Sequence, residues 1–93
     1  MADDSCVTAQ VTLLNSQGLH ARAAATFVRS LSPFRADVVV RWQNQEVNGR
    51  SMLELMTLGA PQGSTLEISV RGPDAEAALS ALTQVIKDHF YEE

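Results

Sequence analysis

The chain carries a single cysteine, Cys6, so it can form neither an internal disulfide nor a cysteine-based zinc site. It is also short of cations: Lys plus Arg number 7 against 11 Asp plus Glu, a formal net charge of -4. That balance argues against nucleic acid as a partner, because phosphate contacts need a basic face. No apolar run is long enough to insert into a membrane. The opening residues, Met1-Ala2-Asp3-Asp4-Ser5-Cys6, place no apolar stretch behind a basic one and do not read as a secretory signal. A reducing cytoplasm is the expected setting. There is no carboxylate pair, glycine-rich phosphate loop or metal-ligand spacing, so no metal and no cofactor is expected.

What is present is 93 residues, 45% hydrophobic and 19% charged. Such a chain reads as one small globular domain over residues 1–93, with 1–6 as a frayed tail. Its apolar residues switch between two periods. Val7, Ala9, Val11 and Leu13 alternate with polar residues, as in a half-buried strand. Asn15-Ser16-Gln17-Gly18 reads as a loop. From Ala21 to Leu31 the spacing turns helical, with Ala24, Phe27, Val28 and Leu31 on one face, and Ser32-Pro33 stops it. Ala36 to Trp42 and Gln45 to Asn48 read as a hairpin turned at Gln43-Asn44. Ser51 to Leu58 reads as a short helix and Leu66-Ile68-Val70 as the centre of a fourth strand. A last helix starts after Asp74 as N-cap, with a stripe from Ala75 to His89.

The order is β-α-β-β-α-β-α. Each strand alternates, so one sheet face is buried and the other wet. The expectation is α+β: an open-faced β-sandwich, a four-stranded antiparallel sheet with three helices on one face.

Two segments can carry chemistry. In Gly18-Leu19-His20-Ala21-Arg22, His20 falls at the junction of the first strand and first helix. Leading helix amides lack intrahelical partners and carry partial positive charge, which suits an anion. Arg22 adds a permanent cation of phosphate-matching geometry. A neutral imidazole nitrogen is a nucleophile, so the segment suits accepting and giving up a phosphoryl group. A plainer reading also stands: a histidine that simply caps the helix and a solvated arginine. In the second segment, Ser51 and Glu54 have capping-box spacing. Leu55 and Leu58 share a face, which leaves some of Met52, Leu53 and Met56 toward solvent as an apolar docking patch. The plainer reading there is ordinary core packing.

The blocks Gly18-Leu19-His20-Ala21-Arg22-Ala23-Ala24 and Ser51-Met52-Leu53-Glu54-Leu55-Met56-Thr57-Leu58-Gly59, at this separation, resemble the HPr family of bacterial phosphocarriers. The resemblance runs from Val7 to about Phe90. It implies a phosphoryl carrier, not an enzyme, in the phosphoenolpyruvate-dependent phosphotransferase system. It implies phosphorylation of His20 on Nδ1 by enzyme I, and an Arg22 that steadies the phosphate. It implies Ser51 as the regulatory serine that a dedicated kinase/phosphorylase modifies in some bacteria. Met52, Leu53 and Met56, with Arg29, would face enzyme I and the sugar-specific or regulatory acceptors in turn, most simply as a monomer. Three positions depart from the family pattern. Ala23 replaces the commonest proline, which a first helical turn accommodates equally well. Gln17 stands where a smaller Asn or Ser often bonds the ring. Glu54 sets a carboxylate near any phosphate on Ser51.

Overall fold

The computed structural model describes residues 5–92. Its strands are β1 (Cys6–Thr12), β2 (Asp37–Trp42), β3 (Gln45–Asn48) and β4 (Thr65–Arg71). Its helices are α1 (Ala21–Ser30), α2 (Met52–Leu58) and α3 (Ala75–Lys87), and a short turn at His89–Tyr91 follows. The sheet order is β1-β4-β2-β3 and every pairing is antiparallel. This is the expected open-faced α+β sandwich.

The alternation seen in the sequence sets the two faces. Val11, Val38, Val40, Leu66, Ile68 and Val70 point inward and are buried. Against them pack Ala23, Ala24, Phe27 and Leu31 around α1, Leu55 and Leu58 of α2, and Ala78, Leu82, Val85 and Ile86 of α3. Trp42 is partly buried against the same cluster. Deleting the fully buried Phe27 ring would remove its transfer energy and leave a cavity, which costs about 3–5 kcal/mol. The opposite face is polar. Hydroxyls pair across strands at Thr8–Ser69 and Thr12–Thr65. Arg41 there donates to Glu46 and Glu67, and those hydrogen bonds, Glu46 first, hold its pKa above the ordinary arginine value. The β2–β3 hairpin turns on Gln43 and Asn44, both at positive φ, as a two-residue loop matched to strand twist requires.

Four expectations need correction. Cys6 is the first residue of β1, paired with Arg71, and Ser5 O accepts from Gly72 N, so this end of the 1–6 segment is tied into the sheet. Residues 1–4 of that segment lie outside the described residues. Asp74 is the N-cap of α3 by position, but its carboxylate caps no helix amide; it accepts from Arg35 N at 2.8 Å. His89 lies beyond the end of α3, in the turn that follows it. The Ser51–Glu54 box is half formed. Ser51 Oγ accepts from Glu54 N at 3.2 Å, whereas the Glu54 carboxylate reaches back to Asn48 N at 2.9 Å.

Candidate functional site

The β1–α1 junction is fixed by Gly18 and by the segment after α2. Gly18 has φ +67, a left-handed conformation that favours glycine. A Cβ there would also lie 2.3 Å from Ala60 O. The close approach lets Leu19 N donate to Ala60 O at 2.9 Å. Buried Leu19 then turns the chain so that His20 begins α1. The same approach joins two regions far apart in sequence. His20, Gln17 and Leu19 line one shallow depression with Met56, Gly59, Ala60 and Pro61. The imidazole and Met56, one member of the expected docking patch, are therefore neighbours.

His20 is the N-cap residue of α1, yet its side chain caps no amide. The first intrahelical bond runs from Ala24 N to His20 O. The amides of Ala21, Arg22 and Ala23 therefore have no acceptor within the helix, and they lead its positive end. The His20 side chain is 27% exposed, so the ring can be reached from solvent. Arg22 is exposed one residue into the helix, and its guanidinium has no hydrogen-bond or ion-pair partner among the described residues. Arg29 is exposed in the last turn of the same helix.

Two ring partners were not anticipated. Nδ1 lies 3.2 Å from Gly18 O, and Nε2 lies 3.3 Å from Glu92 Oε2. Asn15, fully buried in the β1–α1 loop, donates from Nδ2 to Gly18 O at 2.7 Å and to Glu92 Oε1 at 3.2 Å. Gln17 is exposed, and its side chain makes no hydrogen bond to the ring. The loop reading of Asn15-Ser16-Gln17-Gly18 could have suggested Asn15. Nothing in the sequence signalled Glu92, which is 72 positions from His20 in the chain.

In α2 the expected wheel is realised. Leu55 and Leu58 are buried, while Met52, Leu53 and Met56 are exposed, Leu53 at 74%. Ser51 stands half-exposed at the start of the helix. No helix is long and apolar enough to cross a membrane, and no group of three metal-ligating side chains occurs among the described residues.

A one-sided sandwich, an imidazole at an uncapped helix start and an apolar patch beside it together have the build of a small group-carrier protein. The comparisons narrow that class. A family model described as "PTS HPr component phosphorylation site" matches residues 7–88. The chain belongs to the HPr family, the phosphoryl carriers of the phosphotransferase system. It is 39% identical over 87 residues to the "Phosphocarrier protein HPr" of Treponema pallidum, covering 94% of this chain and 99% of that one. With the namesake from Neisseria meningitidis serogroup A it shares 38% over 82 residues, 88% and 92% of the two chains. The crystal structure of HPr-C-His from Thermoanaerobacter tengcongensis superposes with a TM-score of 0.88 at 38% identity, over 94% of this chain and 98% of that chain.

Proposed function

We propose that residues 1–93 work as one stoichiometric carrier domain. It takes a phosphoryl group on His20 Nδ1 from phosphorylated enzyme I, with phosphoenolpyruvate as the ultimate source, and surrenders it to sugar-specific or regulatory acceptors. The single observation that carries this reading is the reachable His20 ring at the uncapped start of α1. The Nδ1 lone pair forms the new bond to phosphorus as the bond to the donor breaks, and the departing pair stays with the donor. Acceptors reverse the step. Catalysis of such transfers is mostly positioning and charge stabilisation. The leading α1 amides and Arg22 supply both, and a helix terminus contributes only ~0.3–1 kcal/mol. Modest stabilisation suits a group that must leave again.

The exposed Met52, Leu53 and Met56, the last of them beside the ring, are where enzyme I and the acceptors dock in turn, with Arg29 contributing at the edge. A monomer in the cytoplasm serves such serial docking. Ser51 is the modification point for a kinase/phosphorylase: the residue is half-exposed, and the Glu54 carboxylate that could repel a phosphate is drawn toward Asn48 N. The test is incubation with phosphoenolpyruvate and an enzyme I, followed by mapping of acid-labile phosphate. His20 should carry all of it, and His20→Ala should fold normally and take none. Label retained by the alanine variant would refute the assignment.

A further inference from the structure

β1 lies at one edge of the sheet and β3 at the other. The two edges are guarded differently. β3 is four residues long and carries Glu46, which accepts from Arg41. β1 runs for seven residues, Cys6 to Thr12, with neither a charged residue nor a proline. Short length, charge and proline are common devices that keep an edge from pairing with another chain. β1 has none of them.

The register shows which backbone groups of β1 stand free. Leu13 N donates to Ser64 O, and Ser5 O accepts from Gly72 N. These bonds lie at the two ends of the pairing that sets Val7 opposite Val70, Ala9 opposite Ile68 and Val11 opposite Leu66. In an antiparallel pair, bonded residues alternate with residues whose amide and carbonyl point the other way. The odd-numbered residues of β1 therefore bond β4. The N–H and C=O groups of Cys6, Thr8, Gln10 and Thr12 point out of the sheet, and no other segment among the described residues takes them up. A row of donors and acceptors at strand spacing is answered in full by another extended backbone.

Beside this edge an apolar trough runs between β1 and α3. Val7 and Leu79, both half-buried, line one end. Val11, Ile86 and the exposed Leu14 line the other. Thr83 and Lys87 border both ends. The Lys87 ammonium has no ion-pair or hydrogen-bond partner among the described residues. Side chains alternate across a strand. A strand laid on β1 would drop every second side chain into the trough and send the others over the wet face beside Thr8, Gln10 and Thr12. A carboxylate on it, near the Thr12 end, would meet Lys87.

We propose that the free edge of β1 and the trough beside it form a docking site for an extended segment of a partner protein, which adds to the four-stranded sheet as a further strand. The segment is apolar at alternate positions, polar between them, and carries a carboxylate that faces Lys87. The strand of a second copy would answer the backbone groups but not the charge, because β1 contains no carboxylate. No residue of the trough belongs to the depression at His20. A protein held here leaves the imidazole and Met56 uncovered, so a second protein can engage them at the same time. Docking at the edge does not require phosphate on His20.

The test uses a capped peptide of alternating valine and threonine with a glutamate at each end. Its control has the same composition with the valines grouped. The readout is NMR amide exchange in the intact protein. Saturating peptide should slow exchange at Thr8, Gln10 and Thr12 about tenfold and leave the amides around His20 unchanged. The grouped peptide should do nothing at the same concentration. Gln10→Pro removes an outward N–H that the sheet does not use, so the variant should fold and lose the effect. Lys87→Glu should weaken peptide binding about fivefold. Should Gln10→Pro not fold, Lys87→Glu and the amide pattern decide alone. Unslowed amides in wild type, an equal effect from the grouped peptide, or full affinity in either variant would overturn the proposal. So would slowing of the same amides without peptide that deepens with protein concentration as the protein sediments as a dimer, since the edge would then belong to a second copy.

Discussion

Two helices in this small protein begin with opposite chemistry. At the start of α1, His20 occupies the cap position and caps nothing. At the start of α2, Ser51 occupies the same position and accepts from Glu54 N. One helix end therefore presents its positive terminus to whatever arrives, and the other neutralises its own. A helix start becomes a working site when the residue there declines to satisfy it and offers a reactive atom instead. The proximity of the two ends matters as much. The fold sets Met56 of α2 in the same depression as His20, and the proposed landing surface on the capped helix therefore adjoins the uncapped one.

The sharpest way to break this contrast is to part the two regions. Gly18→Ala places a methyl 2.3 Å from Ala60 O at a left-handed backbone position. It should cost about 2–4 kcal/mol, read by denaturant unfolding, and should slow phosphoryl transfer even where the variant is folded. An unperturbed variant would show that the close approach is unimportant. Next, Leu53→Asp alters only the landing surface. It should raise KM for enzyme I about tenfold and leave unfolding stability unchanged, as expected for an apolar anchor on an exposed face. Arg22→Ala touches the uncapped end alone. Transfer should slow about fivefold without being abolished, in keeping with one exposed cation near a helix terminus. Equal rates would remove Arg22 from the step. Smallest of all, Ser51→Ala should cost about 1 kcal/mol of stability as the cap is lost, with transfer at the wild-type rate. A clear drop in transfer would mean that the two helix starts do not divide the work as described.

Much of the site was legible because it is local. Gly18, His20 and Arg22 fall within five consecutive residues, and the change of hydrophobic period at Ala21 marks where the helix begins. The exposure of Met52, Leu53 and Met56 followed from helical spacing and from the single buried face available in a two-layer fold. Legibility failed where polar side chains chose among distant partners. Asp74 had the right type and place for a cap, yet the Arg35 amide claimed it. Glu54 had capping-box spacing, yet its carboxylate turned to Asn48 N. Helix spacing says where such a group stands, and only the neighbouring chain says which donor is nearer.

Strand alternation, helical stripes and turn residues by themselves determined the element order, the buried face of the sheet and the position of His20 at a helix start, since each depends on geometry repeated over a few residues. Tertiary structure alone decided what meets the imidazole ring. Gly18 had to pack on Ala60 to bring the α2 patch alongside, and a left-handed turn anchored by Phe90 had to carry Glu92 to Nε2. Contacts of that kind depend on how separate segments pack in three dimensions, and no period along the chain encodes them.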